Sequence, residues 1–538
     1  MMQISIPTLD LVIIVFYLIL MVLLGIYSSR KLRSTATGYF LAGKSLTWPV
    51  IGAALFSSNI STIHLVGLAA SGYNEGLGWG NYEWMAAFTL IILGLVFAPF
   101  YFRNKITTLP EYLERRFSVR SRAFLAFMGI LGAIFMHIGL SLYAGAVVFQ
   151  QFFGIDVFFS ILLISTVTGI YTVLGGLKAV VVTETIQTFI LIFGAVSVTV
   201  FAMMALPDHG IHSYAELMAS VKDRQLSMIH SDDEMGLAWY SVLLGYPVLG
   251  IWYWCTDQTI VQRVLGAKTQ YDAQVGPIFA GFLKILPVLF IVLPGVLAYV
   301  LFSDIIGEDA NQALPVLITQ LVPTGMMGLI SAGLLAALMS SIAAALHSIA
   351  TLVSFDIIQK IKPDLKEKSL IKVGRISAII VMLLAMLWST QGEKFTSIFQ
   401  AVATIGACLA PSVSTVFVWG VAWKRGTEQA AFITLSFGFL LGAFLFMAEL
   451  PVFGNERIFS DIYQIGTLMQ AWWSFVLCSI VFVICSLLTP KPDPEVIKPF
   501  VIGMKSETDP QGRSLVYRPG FLSLLLVVVM IILYALFA

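Results

Sequence analysis

Two ionisable side chains fall where a membrane span asks for carbon. Glu83 and Lys284 each lie inside an apolar run, and a charge at membrane depth is costly unless it faces a wet cavity, so each marks a functional site or a structural ion pair. Asn59, His64, Tyr253, Trp254 and Gln400 lie in the same or adjoining runs. The seven together offer amides, a carboxylate, an ammonium, an imidazole and an aromatic platform, the set that a ring of hydroxyls with apolar C–H faces requires. His64, taken alone, fits packing better than binding. A second constellation suits a hard cation. In Ala337-Leu-Met-Ser340-Ser341 two adjacent hydroxyls stand one helical turn beyond a backbone carbonyl, and hard cations take oxygen ligands. Serines in a membrane helix also bond their own i−4 carbonyl or permit close packing, and the residues alone leave both options open.

These groups need breaks in the spans that carry them. Gly52-Ala-Ala-Leu-Phe-Ser-Ser-Asn-Ile-Ser61 places a polar cluster near the middle of the second apolar run, and Gly245-Tyr-Pro-Val-Leu-Gly250 places Pro between two glycines near the middle of the seventh. Gly and Pro also kink membrane helices without function. The matched positions, five spans apart, favour inverted five-helix repeats whose first helix unwinds to expose carbonyls and helix ends.

The composition demands a membrane. Of 538 residues 58% are hydrophobic and 11% charged, against roughly 45–50% and 25% in soluble domains. Apolar runs of spanning length begin near residues 8, 47, 81, 122, 155, 178, 237, 275, 324, 371, 395, 429, 470 and 517, which predicts an all-α polytopic protein of about fourteen transmembrane helices. Alternate loops test the count. Those at 29–46, 103–122, 176–178, 263–274, 359–375, 423–428 and 489–518 carry 26 of the 31 Lys and Arg residues, which sets them in the cytoplasm and both termini outside. Residues 1–46 then form an added helix and loop, 47–206 the first repeat, 207–236 an acidic outer loop, 237–447 the second repeat and 448–538 peripheral helices. The first run, lacking a basic leader and a small-residue cleavage site, reads as a span and not a signal peptide. Cys255, Cys408, Cys478 and Cys485 lack metal spacing and read as apolar filler. A net charge of +1 excludes nucleic acid as a partner. No phosphate-binding Walker string, Gly-x-Ser-x-Gly or His-Glu-x-x-His occurs, so neither ATP-driven transport nor an enzyme is expected.

Tyr39-Phe-Leu-Ala-Gly-Lys-Ser45, Ser58-Asn-Ile-Ser61, Tyr82-Glu-Trp84, Leu109-Pro-Glu-Tyr112 and Trp252-Tyr-Trp-Cys-Thr-Asp-Gln258 with Ile260-Val-Gln-Arg263 resemble the sodium/glucose cotransporters of the sodium:solute symporter family, from about Leu9 to Arg425. The resemblance implies a LeuT-like inverted-repeat core and sodium-coupled sugar symport into the cell, with sodium as the co-transported ion and no organic cofactor. It places sodium on the carbonyls of Ser57, Ile60 and Ala337 and the hydroxyls of Ser340 and Ser341. It assigns sugar hydroxyls to Asn59, His64, Glu83, Lys284 and Gln400, an inner stacking gate to Tyr253 beside Trp254, and an outer hydrophobic gate to Leu68. Departures from the pattern stand at Ala86, Gly250, His347 and Thr396, and Glu184 replaces an Asp, either for coupling or as a salt bridge. Inositol, sialic acid or a non-transporting sugar sensor are the alternatives. Partners are then sugar, sodium and membrane lipid, and the compact loops suggest a bacterial inner membrane.

Overall fold

The computed structural model describes residues 7–231, 236–391, 398–449, 457–502 and 514–538, the side chains of 151–153 and 398–401 excepted. Helix accounts for nearly all of it, since lipid leaves no partner for an open sheet edge. Among the described residues twelve helices are long and apolar enough to cross a membrane, and the bent pair Trp48–Asn59 and Thr62–Asn74 makes thirteen spans. The shorter helix Trp239–Gly250, continued by Ile251–Thr256, supplies the fourteenth expected position.

The break in the second span lies where the polar cluster put it. Ile60 (ψ 104) leaves the helix, Ser61 (ψ 173) is extended, and the two halves meet at 63°. The second half restarts with a local cap: Ser61 N–H donates to Nδ1 of His64 at 3.3 Å, and the Ser61 hydroxyl lies 3.0 Å from the same nitrogen. His64 therefore helps hold the broken span open as well as facing its interior.

The seventh span corrects the sequence reading. Helix runs straight through Gly245-Tyr-Pro247-Val-Leu-Gly250, widens to a π-helix at Ile251–Thr256, and ends only at Asp257 (ψ 123), after which Gln258–Leu265 begins a new helix. The glycines serve approach, not unwinding. A Cβ on Gly245 would sit 2.2 Å from the Leu468 carbonyl, and one on Gly250 2.6 Å from Thr89 Cγ2. Pro247 costs one backbone bond, and the Ser414 hydroxyl donates to the neighbouring Val248 carbonyl at 2.6 Å. Tyr101 Oη donates to the carbonyl of Cys255 inside the widened turn at 2.8 Å. Asp257 then caps the new helix, accepting from Thr259 N–H at 2.6 Å.

The helix Met326–Ile361 is the axis of the bundle, 94% buried over its apolar window, and packs against Leu177–Ala205, Thr8–Ser29 and the broken span. Small residues allow this density. Where Thr62–Asn74 crosses Gln270–Ile306, a Cβ on Gly295 would lie 1.9 Å from the Ala69 carbonyl and one on Gly72 2.2 Å from that of Val292. Gly295→Ala should cost about 1–3 kcal/mol of stability, seen as a lower Tm in detergent. An unchanged Tm would mean the helices part without penalty.

The described parts of the acidic segment are a short turn at Pro207–His209 and a helix at Tyr214–Ser220. Cys255, Cys408 and Cys478 are buried, Cys485 is half-buried, and all four are free thiols.

Candidate functional site

The break in the second span, the widened turn of the seventh and the bundle axis meet at one cavity of about 130 Å³. Asn59, His64, Glu83, Tyr253, Trp254 and Lys284 all line it, so six of the seven sequence candidates come together from five helices. The Gln400 side chain lies outside the described residues, as does Thr396.

A continuous polar chain runs through the site. Lys284 Nζ donates both to Glu83 Oε2 and to Asn59 Oδ1. The Asn59 amide donates in turn to Tyr253 Oη at 3.0 Å. Lys284 also stands over the Trp254 ring, 5.3 Å from its centroid, and the Trp254 and Tyr253 rings pack edge to face at 5.0 Å. Lys284 is 1% exposed and Glu83 2%. Burying such a pair gains stability only if its remaining valences are satisfied. Asn59 satisfies one of them, and it is the last residue of its half-helix.

The oxygen set lies one residue further back. Ser340 Oγ donates to the carbonyls of Ser57 at 2.7 Å and Ala337 at 3.0 Å, while Ser341 Oγ donates to those of Ser58 and Ala337, both at 3.1 Å. Three carbonyls and two hydroxyls thus converge from the break and the axis. Ile60 is buried at the break, and its carbonyl enters none of these bonds. Ser58, absent from the expected ligand set, supplies a carbonyl through Ser341. Ser341 itself lines the cavity, so the oxygen set and the polar chain share a wall.

Leu68 is wholly buried in the apolar core on the Thr62–Asn74 half-helix and does not line the cavity. Glu184 and Arg263 form a closed ion pair, Arg263 reaching one carboxylate oxygen through Nη2 and the other through Nε, the latter at 3.1 Å. That is the salt-bridge alternative for Glu184. His347 packs against Tyr39 and Phe40, away from the cavity.

A discontinuous-helix bundle with a polar cavity at its breaks defines a secondary transporter. The chain belongs to the sodium:solute symporter family, whose model matches residues 39–438. It is 34% identical to the sodium/myo-inositol cotransporter of Homo sapiens, over 92% of this chain and 76% of that protein. To sodium/glucose cotransporter 1 of Oryctolagus cuniculus it is 32% identical, over 90% of this chain and 80% of that one. Among solved structures, a Na⁺-coupled sialic acid symporter in a substrate-bound outward-open state superposes with a TM-score of 0.78 at 22% identity, covering 91% of this chain and all of that one. That likeness concerns the fold. The protein is a multi-pass membrane transporter that couples solute symport to sodium.

Proposed function

We propose that the solute is a neutral hexose of the glucose or galactose type, carried into the cell with sodium by alternating access. The observation that carries this reading is the chain Glu83–Lys284–Asn59–Tyr253 lining one cavity with Ser341. Hydroxyls both donate and accept, and this chain offers a carboxylate, an ammonium and an amide beside two aromatic rings. Lys284 is already held by Glu83, which leaves no spare Lys or Arg among the described lining residues for an acidic sugar's carboxylate. Asn59, His64, Glu83, Lys284 and Gln400 take hydroxyls, Tyr253 closes the inner side beside Trp254, and Leu68 closes the outer side.

Sodium binds the carbonyls of Ser57, Ile60 and Ala337 and the hydroxyls of Ser340 and Ser341, which turn their protons outward to present lone pairs. Fixing Ser57 and Ile60 fixes Asn59, which lies between them. Sodium thereby aims the amide that meets the sugar, and the sugar strengthens sodium binding by the same factor, typically 1–3 kcal/mol of coupling.

Uptake by proteoliposomes tests the reading: labelled glucose or galactose should accumulate with external sodium and not with potassium, and equal uptake in both would end it. Ser341→Ala should raise the half-saturating sodium concentration at saturating sugar, about fivefold or more for the loss of one oxygen ligand. An unaltered sodium dependence would return both serines to packing.

The second reading is myo-inositol, favoured by the identity to the human inositol cotransporter. A cyclitol is also a neutral ring of hydroxyls and fits the same groups. Competition among hexoses, inositol and sialic acid against one labelled solute separates the readings by rank.

A further inference from the structure

One wall of the cavity comes from a span that contributes none of the residues assigned above. The helix Val119–Gln150 widens to a π-helix over Ala133–Leu140, a rare geometry that concentrates at functional positions. From this segment His137 and, one turn on, Ser141 line the cavity. Leu140 and Ala144 beside them pack on Ile63, the second residue of the restarted half-helix, so the wall stands at the level of the break.

The chemistry of these two groups is specific. His137 Nε2 lies 2.8 Å from Asp257 Oδ2, and a carboxylate only accepts, so Nε2 carries the proton. The ring is thereby pinned, since Asp257 is itself held as the cap of Gln258–Leu265 through its other oxygen. Nδ1 is then the ring's remaining polar atom, left to find a partner other than Asp257. Neither it nor the Ser141 hydroxyl has a hydrogen-bond partner among the described residues. The His137 ring is 5.9 Å from that of Tyr253, whose hydroxyl ends the polar chain from Glu83.

Resting on the solute reading above, we infer that His137 and Ser141 form a second polar pole of the solute site, an imidazole nitrogen and a hydroxyl that take hydroxyls not held by Glu83, Lys284 and Asn59. The site then grips a ring that carries hydroxyls on two sides. It selects glucose-like hexoses and cyclitols over analogues hydroxylated along one edge only. Asp257 is the positioning residue: it fixes which nitrogen of His137 faces the solute.

The test uses purified full-length protein in proteoliposomes, with labelled glucose and labelled myo-inositol as probes and the monodeoxy analogues of whichever is taken up. Ser141→Ala should raise the half-saturating solute concentration about tenfold, with half-saturating sodium unchanged at saturating solute. One monodeoxy analogue should bind wild type about tenfold more weakly than the parent and Ser141→Ala no more weakly than the parent, a coupling that a packing role would not produce. His137→Gln, which keeps a hydrogen-bonding side chain, should shift a different position of the deoxy series. Wild-type uptake with Ser141→Ala indistinguishable across the whole series overturns the second pole and leaves the solute reading standing. Absence of sodium-dependent uptake of either probe by wild type overturns the solute reading, and the assignment falls with it.

Discussion

Glu83→Gln abolishes solute uptake while sodium binding survives. Glu83 is the carboxylate partner of Lys284, and both are shut away from water. Replacing one member of a buried pair leaves the other charge uncompensated, at a cost of about 3–5 kcal/mol. By the usual tenfold per 1.4 kcal/mol this is roughly two to three and a half decades in affinity or folded population. The oxygen set made by Ser57, Ser58, Ala337, Ser340 and Ser341 shares no hydrogen bond with Glu83, so radiolabelled sodium should still bind whatever protein folds. A second variant divides folding from recognition. Glu83→Gln with Lys284→Met removes the stranded ammonium and should recover much of the folded yield, yet uptake should stay absent, because the carboxylate and the ammonium that grip the solute are both gone. Uptake by Glu83→Gln within threefold of wild type would show that the solute does not use this carboxylate.

How legible this site was depends on the residue. Glu83 and Lys284 stood out because a charge inside an apolar run is too costly to serve as mere packing, and Ser58-Asn-Ile-Ser61 because its polar side chains have no use in a lipid-facing helix. The same rule applies to His137 and Asp257, which also lie in apolar runs, but their pairing across 120 positions is a property of the bundle that no local pattern contains. The seventh span misled for a definable reason. Gly245 and Gly250 look like turn residues by type, whereas their role is to let Leu468 and Thr89 come close, and only the neighbours show that. The true exit at Asp257 did have a local signal, an Asp two residues before the Thr259 N–H that it caps. For Glu184, the sequence left coupling and ion pairing level, and its pairing with Arg263, 79 positions away, is a contact that only the bundle shows.

One sodium should enter with each solute molecule. A further cation on the bundle axis would need oxygens one turn past the serine pair, and Ala343 and Ala344 stand there, both buried and without a side-chain ligand. Glu184 is a buried carboxylate on the neighbouring helix, but both its oxygens are engaged by Arg263. The Thr188 hydroxyl, one turn along the same helix, donates to the Ala53 carbonyl at 2.7 Å. A second sodium at Glu184 would have to displace a buried guanidinium. The consequence is large in concentration terms. One charge crossing about 100 mV releases roughly 2.3 kcal/mol, and a tenfold sodium gradient adds about 1.4 kcal/mol. Together these sustain a solute ratio of about 500-fold, whereas two sodiums would square it to about 250,000-fold. The reversal potential of solute-dependent current, measured while the sodium and solute gradients are varied separately, reads the ratio directly. A shift with solute gradient that matches two charges per molecule would refute single coupling, and Arg263→Gln, which frees the Glu184 carboxylate, would then be expected to alter the affinity of that second ion.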